Sequence, residues 1–258
     1  MSELNILKVK DPKANTHPLD QKLHEHLPRH PHALMLSANP RQGKTNLICN
    51  LLANPAFYNC QEYWDEVIYC SPTQIFDKTA MQVLPKLDNI IQIDDHLELS
   101  RIDVLLDDVK NRQMKQIEEV DPKTGKKKTM DRILIIFDDC LSYLKDNDAL
   151  GYFISKYRHF SCSIWVTTQS FRKIPNIIRN CIGHFIHFAQ PNAKELERID
   201  EEFGSQFGKN YMELSTAITK KKYDFVYLDL EGMRLYHNFH TLVLDASAEV
   251  EDKGIKQF

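Results

Sequence analysis

Short, nearly uninterrupted apolar runs recur along the chain: Ala33-Leu34-Met35-Leu36, Glu66-Val67-Ile68-Tyr69-Cys70, Ile133-Leu134-Ile135-Ile136-Phe137, Ser163-Ile164-Trp165-Val166-Thr167 and His184-Phe185-Ile186-His187-Phe188. Each is short and rich in β-branched or aromatic residues, as strands buried on both faces of a parallel sheet are. Asn89-Ile90-Ile91-Gln92-Ile93 predicts one more strand. Between the runs the apolar period changes. Ile102, Leu105, Leu106, Val109, Met114 and Ile117 fall at helical spacing over Ser100–Glu119. Further helices are predicted over Asn46–Leu52, Phe76–Leu84, 147–157, Asn176–Asn180, Ala193–Phe203 and Tyr211–Ile218. Asp224–Asp229 and Arg234–Phe239 flank Glu231-Gly232 and predict a hairpin. Strands alternating with helices predict an α/β fold, with a mainly parallel central sheet, helices on both faces and a C-terminal β-hairpin.

The same pattern divides the chain. Residues 1–31 lack apolar period and carry Pro12, Pro18, Pro28 and Pro31 with His17, His24, His26 and His30. They read as a polar, solvated N-terminal lead-in, with a histidine metal cluster as the alternative. Residues 32–245 form the domain, and 246–258 a C-terminal tail. Within the domain, 118–130 mixes Pro122, Gly125 and both charges, and predicts an exposed charged insertion or hairpin.

Composition narrows the partners. Of 258 residues, 42% are hydrophobic and 27% charged, enough to bury a core. A net charge of −3 and a pI near 6.4 exclude a bulk basic footprint, so any nucleic-acid contact must come from local patches. Lys126-Lys127-Lys128 and Lys220-Lys221-Lys222 are such patches, with an ordinary solvated face as the alternative for each. The six cysteines, at 49, 60, 70, 140, 162 and 181, form no C-x-x-C pair and predict buried free thiols in a reducing compartment. The amino terminus has no apolar h-region and no run is long enough to span a bilayer, which predicts a soluble intracellular protein without a membrane segment.

Chemistry concentrates after the first strand. Ser37, Ala38, Asn39, Pro40, Arg41, Gln42, Gly43, Lys44 and Thr45 form a loop that opens a helix at Asn46, the strand–loop–helix order a phosphate-binding P-loop requires. Gly43 lets backbone amides approach an anion, Lys44 places a charge at β/γ-phosphate oxygens, and Thr45 offers a hydroxyl to Mg2+. Ala38 stands where the strict pattern has Gly. A second strand delivers Asp138 and Asp139 to its C-terminal end, where ligands of open α/β sheets bind. Asp138 is a candidate for Mg2+ and Asp139 for general base. Gln169, at the tip of Trp165-Val166-Thr167-Thr168, can orient water, or can simply form a turn. Arg158, Arg172 and Arg179 flank that strand, and each is either a finger on a transferring phosphoryl group or a surface ion-pair partner.

Taken together, the P-loop, Ile135-Ile136-Phe137-Asp138-Asp139, Tyr157-Arg158-His159, the strand ending in Gln169, and Pro175, Arg179 and Asn180 resemble the genome-packaging ATPases of large DNA viruses and virophages. These are the poxvirus-type branch of the FtsK–HerA superfamily, and the resemblance spans roughly residues 30–240. It implies a RecA-like P-loop NTPase core that uses ATP and Mg2+ to move double-stranded DNA into a preformed capsid. It also implies a homo-oligomeric ring of five or six copies, portal or vertex proteins of the capsid as partners, and work in the host cell cytoplasm (the virus factory) or on the virion. Lys44 and Thr45 then correspond to Walker A, Asp138 and Asp139 to Walker B, Gln169 to the sensor, and Arg158 to the finger with Arg179 in reserve. The competing classes are another P-loop enzyme, such as a cellular-type DNA pump, a helicase-related ATPase or a nucleotide kinase, and a scaffold that binds nucleotide only to assemble. The kinase lacks an obvious Arg-rich lid, and the scaffold has no need of the paired acids or Gln169.

Overall fold

Residues 17–120, 122, 125–144 and 148–247 are described by the computed structural model. The elements in chain order are β1 (Ala33–Ser37), α1 (Lys44–Ala53), α2 (Cys60–Tyr63), β2 (Glu66–Cys70), α3 (Lys78–Val83), β3 (Ile90–Ile93), α4 (His96–Leu99) and α5 (Ile102–Glu118). There follow β4 (Ile133–Asp138), α6 (Leu141–Leu144), α7 (Asp148–Ile154), β5 (Cys162–Thr168), α8 (Asn176–Arg179), β6 (His184–Phe188), α9 (Ala193–Glu202), α10 (Tyr211–Ile218), β7 (Phe225–Asp229), β8 (Arg234–His237) and β9 (Thr241–Asp245). All nine strands join one sheet in the order β3-β2-β4-β5-β1-β6-β7-β8-β9. Pairings from β3 to β6 are parallel, and those from β6 to β9 antiparallel.

Each central strand is buried along its whole length because both sheet faces are covered. Along β4, Ile133, Ile135 and Phe137 enter one core, with Leu106 and Val109 of α5 and Phe153 and Ile154 of α7. Leu134 and Ile136 enter the other, with Ile48, Leu51 and Leu52 of α1, Tyr69 and Trp165. The two-residue period thus decides which acid faces which helix. Asp138 continues the Leu134–Ile136 series toward the face that α1 covers, and pairs in register with Thr167.

Three expectations change. The solvated lead-in is overturned for 17–31. Leu23 and Leu27 are buried, and buried Asp20 accepts bonds from Arg132 (2.9 Å) and the Tyr63 hydroxyl (2.6 Å). The signal is two isolated leucines and a distant arginine, which no local period reveals. The helix expected over Phe76–Leu84 is interrupted at Asp77, whose carboxylate accepts from the Thr79 and Ala80 amides and so caps α3. The C-terminal hairpin gains a third strand, β9, whose Leu242 and Val243 lie half exposed at the sheet edge. Within 118–130, Val120 bridges Lys127, and the Lys128 amide donates to the Glu119 carbonyl at 3.0 Å. Residues 1–16, 121, 123, 124, 145–147 and the tail beyond 247 lie outside the described residues. All six cysteines are free, and no helix among the described residues is long and apolar enough to cross a membrane.

Candidate nucleotide site

Parallel register brings three strand ends to one edge. Ser37 at the end of β1 pairs with Thr168 of β5, and Asp138 at the end of β4 pairs with Thr167. Because β5 lies between β1 and β4, Gln169 emerges between the P-loop and the acidic pair. A cavity of about 870 Å³ opens there, of the size small-molecule sites have, and Lys44, Thr45, Asp77, Asp139 and Gln169 are among the residues that wall it.

The loop itself explains Ala38. Its left-handed residues are Arg41 (φ 66) and Gly43 (φ 97), whereas Ala38 has no positive φ, is buried, and donates its amide to the Thr168 carbonyl at 3.0 Å. A Cβ is therefore tolerated at 38 and packed, while Gly43 needs the freedom of glycine. Asn39 and Gln42 tie the loop to the segment after β6: the Gln42 Nε2 donates to the Ala189 carbonyl at 2.7 Å, and the Gln42 Oε1 accepts from the Asn39 amide at 2.9 Å. The Gln190 amide reaches Ser37 Oγ at 3.4 Å.

Lys44 Nζ lies 3.2 Å from Asp138 Oδ1 and pairs closely with Asp139 Oδ2. Thr45 Oγ1 donates to Asp77 Oδ2 at 2.7 Å. Asp138 is buried and fully engaged, accepting from the Tyr69 hydroxyl at 2.6 Å through Oδ2 and from Thr167 Oγ1 through Oδ1. Burial first, and then the Asp138 carboxylate, hold the Tyr69 phenol far above its ordinary range, so it stays a donor. Asp139 leaves the strand in a left-handed conformation (φ 54) that aspartate tolerates. Its amide donates to Thr167 Oγ1 at 3.2 Å and its Oδ2 accepts from Gln169 Nε2 at 3.0 Å. Burial, reinforced by Asp77 and Asp138, pushes the nearby Cys49 thiol up to about 12, which removes it as a nucleophile.

The structure thus gathers Lys44, Thr45, Asp138, Asp139 and Gln169, with Asn46 on the cavity wall, and separates the arginines from them. Arg158 precedes β5, at the sheet edge opposite Gln169; seven residues of strand span roughly 20 Å. Its side chain is 58% exposed and pairs with Glu231 in the β7–β8 turn. Arg179, expected in reserve as a finger, is buried: it donates to Glu202 Oε1 at 2.7 Å, to the Ile174 carbonyl and to Asn176. With its donors committed, it holds α8 to α9 and is not free to reach a neighbour. Arg172 is exposed, with its backbone amide on Glu195. Lys222, expected on a separate basic patch, lines the cavity beside Tyr223 and Phe225.

Asp77, Tyr69 and Thr167 were not singled out from sequence. Thr167 carried a signal, because it stands one pleat before the Gln169 tip. In sequence, Asp77 is an acid within the helix expected over Phe76–Leu84, and Tyr69 a strand aromatic.

The family model described as Poxvirus A32 protein matches residues 25–210. No curated protein matches. Among solved structures, the chain is similar to the genome packaging NTPase B204 from Sulfolobus turreted icosahedral virus 2 in complex with ATP-gammaS. The identity is 16% and the TM-score 0.58, over 81% of this chain and 96% of that one. It is similar to B204, the DNA-packaging ATPase from Sulfolobus turreted icosahedral virus, at 15% identity and TM-score 0.58, over 81% and 98%. The conjugation coupling protein TcpA of pCW3, in a monomer form with ATPgS, aligns at 11% identity and TM-score 0.52, over 76% of this chain and 57% of that one. At these identities the likeness is one of fold.

Proposed function

We propose, on the premise that this chain belongs to the poxvirus A32 protein family, that it is an ATPase that moves double-stranded DNA into a capsid. One observation carries the reading: Lys44, Thr45, Asp139 and Gln169 line one cavity at the C-terminal sheet edge, and buried Asp138 stands behind them, 3.2 Å from Lys44. The genome packaging NTPases with the same fold, one of them in complex with ATP-gammaS, support it.

In this reading the loop amides and Lys44 hold the β- and γ-phosphates. Lys44 exchanges its two aspartates for phosphate oxygens, which leaves Asp139 free to accept the proton of the attacking water. Gln169, already bonded to Asp139, orients that water. The donor set around Thr45 is all hard oxygen: Asp77, Asp138 and the Thr45 hydroxyl. Among the described residues no group of three or more His, Cys, Asp or Glu makes a metal site by itself. That suits Mg2+, which binds through one or two carboxylates plus substrate phosphates; Thr45 and Asp138 would hold it, and it would neutralise charge on the transferring phosphoryl group. Arg158, exposed and on the edge opposite its own P-loop, would act as a finger for a neighbouring copy and not for its own site. A ring of five or six copies, a vertex or portal protein of the capsid as partner, and work in the host cytoplasm belong to the same proposal.

ATPase rate measured with and without double-stranded DNA, across a salt series, tests it. Stimulation that weakens steeply with salt is expected, with no hydrolysis in Lys44→Ala or Asp139→Asn. Equal turnover with and without DNA overturns the motor; transfer of phosphate to a small acceptor overturns hydrolysis. Arg158→Ala should lose activity alone and regain part of it when mixed with wild-type subunits.

A further inference from the structure

Part of the cavity wall is apolar and is not used by phosphate chemistry. Phe57, Phe188 and Phe225 belong to it, with the Phe188 and Phe225 ring centroids 5.5 Å apart. Tyr223 lines the same cavity, in a tight turn closed by the Asp224 amide on the Lys221 carbonyl at 3.2 Å. Its backbone lies at φ 76, a conformation rare for a bulky side chain. Such a residue persists where the surroundings require it, and it is a pointer to function.

What the turn achieves is the placement of the ring. A Cβ added at Gly43 would come within 2.9 Å of Tyr223 Cδ1, so the ring edge rests on the backbone of the P-loop glycine. Tyr223 is nonetheless 57% exposed, and none of the aromatic rings among the described residues pairs with it. The Lys222 Nζ sits 4.7 Å from its centroid. An exposed aromatic ring, fixed beside a phosphate loop in a cavity that three phenylalanines also line, offers a surface a planar base can occupy.

The geometry points to Tyr223 as the platform on which the nucleobase of the bound nucleoside triphosphate stacks, with the Lys222 ammonium 4.7 Å from the centroid of that ring. The assignment rests on the nucleotide reading of the P-loop given above. Asn46 and Asn50, on the cavity wall, bond to each other (Asn50 Nδ2 to Asn46 Oδ1, 2.9 Å). On this proposal the base is recognised by stacking, which every purine satisfies, and ATP and GTP bind within a few-fold of each other.

Affinity for ATP, GTP and inorganic tripolyphosphate is measured by calorimetry on wild type, Tyr223→Ala and Tyr223→Phe, with melting temperature as the folding control. Tyr223→Ala should bind both nucleotides roughly ten-fold or more weakly and tripolyphosphate as wild type does, while Tyr223→Phe keeps nucleotide affinity. If Tyr223→Ala binds ATP as tightly as wild type, or loses ATP and tripolyphosphate equally, the stacking role is overturned while the phosphate site stands. If wild type binds neither ATP nor tripolyphosphate, the nucleotide reading falls, and this one with it.

Discussion

Tyr69→Phe is the sharpest test of how the acidic pair is held. The change removes one oxygen and leaves a ring that is 1% exposed and packed as before, so no apolar area is lost. What disappears is the donor 2.6 Å from Asp138 Oδ2, and with it one of the contacts that fix a buried carboxylate. A hydrogen bond to a charged group is worth about 1.5–3 kcal/mol, and the oxygen left behind has no room for bulk water. At ~2–4 °C per kcal/mol for a domain of this size, a loss of about 2 kcal/mol lowers the melting temperature by roughly 4–8 °C. The same loosening reaches function, because residues that orient a metal-facing carboxylate typically govern metal affinity by ~10- to 100-fold. Melting without nucleotide and ATPase rate against Mg2+ concentration at saturating ATP measure the two effects. Thr167→Val, which removes the donor to Asp138 Oδ1, should act in the same direction, and the double variant should be less than additive. Tyr69→Phe melting within about 1 °C of wild type, with an unchanged Mg2+ dependence, would refute the claim that this phenol positions Asp138.

Other outcomes follow from the same geometry. Asp77→Ala removes the cap of α3 and should cost about 1 kcal/mol in urea unfolding; Asp77→Asn should restore most of the cap, and neither result is expected if Asp77 is a plain loop acid. Asp20→Ala leaves Arg132 buried without its partner and should cost ~3 kcal/mol while ATP affinity stays unchanged, whereas a solvated lead-in would lose about 0.5 kcal/mol at most. Burial lowers the pKa of His187 from 6.5 to about 4, so the unfolded chain binds the proton that the folded chain refuses. Its contribution to stability is therefore complete above 6.5 and is lost as the pH falls toward 4, by about 1.4 kcal/mol per pH unit. His187→Gln, which still offers an acceptor to the Tyr211 hydroxyl, should flatten the stability-against-pH curve by roughly one proton between these limits. An unchanged slope would mean that His187 is protonated in the fold.

Much of the candidate nucleotide site is legible because it is written locally. The Ile133–Phe137 run followed by two acids is a strand with its ligands attached, and Gly43-Lys44-Thr45 between an apolar run and a helix is a loop with its chemistry attached. Asp77 and Tyr69 were not legible, since their partners Thr45 and Asp138 stand 32 and 69 residues away. Arg158 illustrates the converse. In sequence it lies close to Gln169, but a strand intervenes, and an extended chain places its two ends at opposite edges of the sheet.

By itself, then, the sequence determined the alternation of strands and helices, the P-loop, the acidic pair and the amide at the strand tip, because periodicity and short motifs act over a few residues of backbone. Tertiary structure alone decided that Asp138 faces α1 while Phe137 faces α5. It alone withdrew Arg179 into the core, folded the histidine-rich lead-in against Arg132, and laid Tyr223 on Gly43. Each of these depends on strand order and register, and those are fixed by which faces can be buried together, a property of the whole sheet that no single segment carries.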